Sequence, residues 1–147
     1  MEVSGGMTML SERSLTDARK DFSRVFNEVY NAFRPMVITR NKSEKLLLMR
    51  TDIIKELFSC YSLKPEVIEE TDGSTTLSLD ALDVYVNSET LDSAREQLIE
   101  DLMFYAQDYV QRSQLFLHAP NRRSHFPYVL RILLCDNKEE LKKLLEV

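Results

Sequence analysis

Hydrophobic positions in the N-terminal third of the chain recur with helical spacing. Leu15, Ala18, Phe22, Val25/Phe26, Val29 and Phe33 form a 3.6-residue stripe that ends before Pro35, a residue that cannot continue a helix. The stripe predicts one helix or two short ones. Ser14-Leu-Thr-Asp17 supplies the start: the Ser14 hydroxyl can accept from an amide of the first turn, and Asp17 can answer back to the cap's own N–H. Arg19, Lys20 and Arg24 lie on the polar face. Upstream, residues 7–10 are a short apolar stretch consistent with an edge strand, after a Gly5-Gly6 tail expected to be disordered. Downstream, residues 36–39 (MVIT) and 45–49 (KLLLM) read as two short aliphatic strands. The linker Arg40-Asn-Lys-Ser-Glu44 has turn composition, so the pair is a hairpin with a basic tip. Thr51-Asp52 can cap a helix through about Ser59, with Ile53, Ile54, Leu57 and Phe58 as its apolar face. The order is β-α-β-β-α in about sixty residues, a marginal apolar area for an independent unit and a hint of dimerisation.

Beyond residues 62–65 the pattern changes. Residues 66–70, 75–79 and 82–87 read as strands, the first two joined by the tight-turn signal Asp72-Gly73. Thr90 caps a long helix whose apolar positions are Leu91, Ala94, Leu98, Leu102, Tyr105/Ala106 and Tyr109. Pro120 can occupy the first turn of a next helix, and Pro127 starts or kinks one running through Leu134. Asn137-x-x-Glu140 resembles a capping box for a last helix ending near Leu145. The fold class is therefore α+β: a β-α-β-β-α module over residues 1–60, then a strand-then-helical module over 61–147.

Charge sharpens this division. The 147-residue chain has a net charge of −5, which on average argues against a nucleic-acid partner. Residues 1–59, however, hold ten Lys/Arg against eight Asp/Glu, a net of +2, while residues 60–147 hold nine against sixteen, a net of −7. Residues 66–101 carry eleven acids and a single base, Arg95. The sign then reverses: between Tyr109 and Cys135 nothing is acidic, and Arg112, Arg122, Arg123, Arg131, His118 and His125 lie there. Such a layout points to two modules with different partners. No apolar run approaches the roughly 18 residues of a membrane span, and the N-terminus lacks a basic-then-apolar signal layout. Two cysteines without a CxxC pair fit a reducing cytoplasm.

Catalytic signatures are missing. No GxGxxG, GxxxxGK[ST], GxSxG or HExxH occurs, and three glycines leave no phosphate-cradling loop. His118 and His125 have Pro120 between them and no nearby Cys or carboxylate to complete a zinc site. Cys135 lies on the apolar stretch Leu133-Leu134-Cys135 and reads as a buried core thiol, not a nucleophile based by His125. No catalytic residue, metal or cofactor is expected.

One ordered set of motifs carries more. Ser14-x-x-x-Ala18-Arg19-x-x-Phe22-Ser23, then Pro35-Met-Val-Ile-Thr39-Arg40, then Lys45-Leu-Leu-Leu-Met49 resembles the Phd/YefM family of type II toxin–antitoxin antitoxins. The resemblance covers about residues 7–59; the following helix begins Arg50-Thr-Asp-Ile-Ile, without the family's acidic-Tyr pair. It implies the β-α-β-β-α fold reached above, in a homodimer that binds a palindromic operator, represses its own operon and neutralises a cognate toxin, a RelE-like ribonuclease or a Doc-type enzyme. Arg19 and Arg40 match the family's DNA-facing positions, with Arg13, Ser14, Asn41 and Lys42 flanking them. Such residues would give affinity through phosphates and sequence preference through one or two arginines at base edges. Phe22, Phe26, Val29, Ile38 and Leu47 are the expected core and dimer positions. The alternative is a stand-alone interaction or regulatory module with the same fold and no DNA binding.

The C-terminal module departs from the short tail common in that family and is expected to be folded. Two readings stay open. Either the acidic segment 66–101 is a toxin-binding surface, with Glu69, Glu70, Asp83, Arg122 and Arg123 as partner-contact candidates, or it is a solvated part of an α+β domain that pairs internally with Arg112, Arg122, Arg123 and Arg131, a basic cluster that could otherwise serve oligomerisation or a second nucleic-acid or partner contact.

Overall fold

The computed structural model describes residues 9–147. The chain divides into two compact units, residues 1–56 and 57–147, and each is described by itself.

In the first unit β1 (Ser11–Ser14) runs parallel to β2 (Met36–Arg40), and β2 pairs antiparallel with β3 (Glu44–Leu48), in sheet order β1-β2-β3. A parallel pair needs a crossover, and the amphipathic stripe provides it as two helices, α1 (Leu15–Lys20) and α2 (Phe22–Ala32). The break is Asp21, whose φ of −148° and ψ of 71° leave the helical region and whose carboxylate caps α2 by accepting from the Arg24 N–H at 3.2 Å. Ser14 caps α1 as expected, accepting from Asp17 N–H at 3.1 Å. Asp17 meets Lys20 at 3.8 Å. A left-handed Phe33 (φ 55°) ends α2. Ala18, Val25 and Val29 pack on Met36 and Ile38, with Leu48 at the margin. A third helix, α3 (Thr51–Leu57), follows.

The edge strand corrects the sequence reading. Of the expected residues 7–10, the first two lie outside the described residues, and Met9 and Leu10 are exposed and not in a strand. Pairing starts at Ser11, in the polar run Ser-Glu-Arg-Ser. This strand is fixed by its ladder with β2 and by a Thr39 hydroxyl that donates to Glu12, features an apolar pattern cannot reveal.

In the second unit β4 (Glu66–Glu69), β5 (Thr75–Leu79) and β6 (Val84–Ser88) form an antiparallel sheet in that order. Gly73, at φ +88°, makes the first turn, a conformation open to glycine at no steric cost. Residues 82 and 83 are expected in the third strand, but Asp80–Leu82 forms a 3₁₀ turn that ends at left-handed Asp83 (φ 54°). The long helix α4 (Leu91–Gln111) opens with a capping box: Thr90 Oγ1 accepts from Ser93 N–H, and Ser93 Oγ accepts from Thr90 N–H. It buries Ala94, Leu98, Ile99, Leu102, Ala106 and Tyr109. Next come α5 (Ser113–His118), which no sequence signal announced, then α6 (Phe126–Leu133) and α7 (Lys138–Leu145). Pro127 stands in the first turn of α6. Pro120 does not start a helix; it sits in the turn after α5. Asn137 caps α7 by accepting from Glu140 N–H at 2.9 Å.

Candidate nucleic-acid interface

Register places the site. β1 and β2 run in the same direction with Ser14 opposite Thr39, so the end of β1, the start of α1 and the tip of the β2–β3 hairpin all lie at one end of the sheet. A cleft of about 300 Å³ there is lined by Leu15, Ile38, Arg40, Glu44, Lys45 and Leu46. Segments well separated in sequence thus share one end of the sheet.

The tip is a three-residue loop between the paired Arg40 and Glu44. Asn41 (φ 50°) and Lys42 (φ 65°) are both left-handed, a region Asn tolerates well and Lys poorly. Arg40 and Glu44 face each other across the hairpin mouth. Arg40 Nη2 donates to Glu44 Oε2 at 2.8 Å and Nε to Oε1 at 3.3 Å, while Asn41 Nδ2 donates to the same Oε1 at 3.0 Å. Glu44 raises the Arg40 pKa above its ordinary value, and Arg40, then Asn41, lowers that of Glu44.

The six candidate DNA residues are therefore not equivalent. Arg19 and Lys42 are exposed and have no ion-pair partner among the described residues. Arg40 and Asn41 are held by Glu44. Arg13, opposite Ile38 in the ladder, points to the helix side, where its Nη2 meets Glu28 Oε2 at 3.1 Å; Glu28 also takes Arg24 Nε at 3.3 Å. Ser14 spends its hydroxyl on the α1 cap. Sequence reasoning missed Glu28 and Glu44, the carboxylates that set which arginines are free. Glu44 was readable in principle, four residues from Arg40 across a turn.

A family model for antitoxins of RelE/RelB toxin–antitoxin systems matches residues 9–147. The chain belongs to this antitoxin family. Among solved structures it is similar to the antitoxin part of a proposed toxin/antitoxin system from Syntrophomonas wolfei subsp. wolfei, with 33% identity and a TM-score of 0.81 over 92% of this chain and 96% of that one. No curated protein matches. The family match spans both units, so the C-terminal unit of this antitoxin is part of the family pattern and not an addition to it. The resemblance seen in the sequence reached only residues 7–59.

Of the five positions assigned to core or dimer, Val29 and Ile38 are buried in the first unit. Phe22, Phe26 and Leu47 are 51%, 57% and 54% exposed, so they contribute to no core within the single chain. On the helix side Phe22, Phe26, Tyr30, Leu48, Met49 and Arg50 line an apolar groove of about 390 Å³.

In the second unit, Glu69 and Glu70 lie at the exposed end of β4, Glu70 accepting from the Thr76 hydroxyl at 2.9 Å. Asp83 Oδ2 stands 3.8 Å from His125 Nε2. Arg122 Nη1 donates to the Tyr105 hydroxyl at 3.3 Å, and the Arg122 carbonyl accepts from the Tyr109 hydroxyl at 2.9 Å. Arg123 donates to the Leu117 carbonyl, Arg131 to the Tyr61 carbonyl, and Arg112 pairs with Asp108. The internal reading needs correction on this point: among the described residues these arginines do not pair with the acidic segment. Arg123 and Arg131 donate to carbonyls, Arg122 braces Tyr105 and Arg112 pairs with Asp108 outside the segment, while the segment's carboxylates face solvent. Cys135 is half-buried, packs against the core and donates to the Arg131 carbonyl at 3.5 Å. Among the described residues, no group of three or more His, Cys, Asp or Glu could hold a metal ion, and no helix is long and apolar enough to cross a membrane.

Proposed function

We propose that this antitoxin binds operator DNA as a homodimer through residues 1–60, represses its own operon in the cytoplasm, and uses residues 61–147 to hold its toxin, acting by binding and without catalysis. The parallel β1–β2 register carries the reading: it brings the Arg19-bearing helix and the Arg40–Lys42 tip to one end of the sheet, and Arg19 and Lys42 have no ion-pair partner there among the described residues. Contacts from these cations to phosphates give affinity in proportion to counterions released, and a dimer doubles them. The exposed apolar side of α2 and β3 supports self-association, since contiguous apolar surface on a small unit marks an interface.

The toxin is a RelE-like ribonuclease in this reading. Eleven acids in residues 66–101 complement a basic RNA-binding cleft, and opposite potentials steer association. A Doc-type partner is the alternative outcome of a binding assay.

A mobility-shift assay with DNA upstream of the antitoxin gene tests the operator reading. Arg19→Ala and Lys42→Ala should each weaken binding, and each should flatten the plot of log K against log salt by about one for every phosphate it leaves unneutralised. Wild-type binding in the double variant would refute the site. The absence of any salt-sensitive shift by the wild type would favour a stand-alone interaction module.

A further inference from the structure

Glu44 is a carboxylate at the end of the sheet that also carries Arg40 and Lys42 at the hairpin tip and Arg19 on α1. Its pair with Arg40 is 61% and 49% exposed, and such pairs add little to stability. The geometry is nevertheless specific. Arg40 and Glu44 are directly opposed at the last rung of the β2–β3 ladder, so both side chains start from fixed backbone positions. The carboxylate engages Nε and Nη2 along one edge of the guanidinium, and its Oε1 also holds the Asn41 amide.

A guanidinium has five N–H donors in a planar fork. Two are used by Glu44, which leaves three, including the outer pair formed by one hydrogen on each Nη. That outer edge is the one that can meet guanine O6 and N7, or a phosphate, in bidentate fashion. Two consequences follow from having Glu44 behind it. The plane of Arg40 is biased toward one orientation before any ligand arrives, which lowers the ordering cost of a bidentate contact. The carboxylate also repels phosphate, so it penalises the sequence-independent part of DNA binding more than a contact to an uncharged base edge. A repulsive element of this kind is how specificity is commonly separated from affinity.

We propose that Glu44 is a specificity-determining positioning residue: it holds Arg40 for base-edge contact and disfavours its use as a free phosphate-binding charge. This rests on the operator-binding reading above.

The test compares full-length wild type, Glu44→Gln, and Glu44→Gln/Arg40→Ala on two duplexes, one from the region upstream of the antitoxin gene and a scrambled duplex of equal length and composition. Circular dichroism and Tm confirm that each variant is folded. Glu44→Gln keeps the size of the side chain and removes the charge. It should bind the scrambled duplex several-fold more tightly, steepen its salt slope by up to about one per protomer, and lower the ratio of upstream to scrambled affinity by roughly tenfold. Adding Arg40→Ala should abolish the gain on scrambled DNA. A Glu44→Gln protein with the wild-type ratio overturns the proposal, whether both affinities are unchanged or both rise together. A wild type that shifts neither duplex overturns the operator reading and this proposal with it, whereas a wild type that shifts the upstream duplex at an unaltered ratio in Glu44→Gln overturns this proposal alone.

Discussion

The Arg50 guanidinium lies 4.0 Å from the centroid of the Tyr30 ring and donates from Nη1 to the carbonyl of that same Tyr30 at 2.7 Å. The Phe33 ring lies 4.0 Å from the same guanidinium, and Asp52 accepts from Nε and Nη2 at 3.0 and 3.1 Å. One side chain thus satisfies a carbonyl in the last turn of α2, where helical partners run out, stacks with two aromatic rings, and joins the start of α3. The Asp52 carboxyl is held below its ordinary pKa chiefly by Arg50. Lysine keeps the charge but lacks the planar fork that stacking and two-point donation need. Arg50→Lys should therefore lower the Tm by a few degrees, more than Asp52→Asn does, because the latter leaves the stacking and the carbonyl contact in place. Equal Tm values for Arg50→Lys and wild type would remove this role.

His125 makes a second stability device, in the other unit. It is 3% exposed; its Nδ1 lies 2.6 Å from the Tyr105 hydroxyl and its Nε2 faces Asp83. Arg122 donates to the same hydroxyl, so the phenol is free to donate to Nδ1, and the ring proton belongs on Nε2, toward Asp83. Burial, then the charge of Arg122, pushes the His125 pKa down, against a smaller upward pull from Asp83. The folded state therefore holds fewer protons here than the unfolded chain. Stability is fully present above the ordinary histidine pKa of about 6.5 and falls as pH drops below it, by at most about 1.4 kcal/mol per pH unit until the folded value is reached. Urea titrations between about pH 7.5 and 5, a range that brackets the ordinary histidine value, should show this decline in the wild type and a smaller one in His125→Gln, whose amide can still accept from Tyr105. Parallel pH profiles for the two proteins would exclude His125 as the source.

How much of this was legible in the sequence depends on whether an element is specified locally. The stripe from Leu15 to Phe33, the Ser14 cap and the Asn137 cap are readable because each lies within a few residues of the atoms it satisfies. β1 was displaced because its sequence, Ser-Glu-Arg-Ser, is polar, and only the long-range ladder to Met36–Arg40 makes it a strand. α5 went unseen because Ser113–His118 has no side-chain cap and is held by Phe116, which stacks on Tyr109 at 4.8 Å. The candidate site shows the same division. Arg19 and Arg40 could be nominated through the family resemblance, but the pairing of Arg13 with Glu28 spans 15 residues, and no local pattern encodes it.

The exposed faces of α2 and β3 yield a prediction about assembly. Phe26 stacks on Tyr30 with ring centroids 6.0 Å apart and stays 57% exposed; since full burial of such a side chain contributes about 1.5–3 kcal/mol, covering the exposed part in a partner contributes roughly 1–1.5 kcal/mol, counted twice in a two-fold interface. Phe26→Asp should convert a dimer to a monomer in multi-angle light scattering at micromolar concentration, with its far-ultraviolet circular dichroism unchanged. A Phe26→Asp protein that stays dimeric would move the interface elsewhere.

Strain at the hairpin tip gives the last expectation. Lys42 adopts φ 65° directly after Asn41 at φ 50°. For a side chain without local hydrogen-bonding capacity the left-handed region costs about 1–2 kcal/mol, and glycine avoids it, less the roughly 0.4–1 kcal/mol that glycine forfeits through a freer unfolded chain. Lys42→Gly should therefore stabilise the protein by about 0.5 kcal/mol, read as a small rise in the urea midpoint at constant slope. The same change deletes one cation from the proposed DNA surface, so affinity for the upstream duplex should fall while stability rises. Opposite movements of this kind are expected where strain is retained at a binding site. Lys42→Ala separates the two contributions: it removes the charge but keeps the left-handed strain, so it should weaken DNA binding as much as Lys42→Gly without the gain in stability. If Lys42→Gly binds DNA as well as the wild type, the tip lysine is placed by the turn alone and makes no phosphate contact.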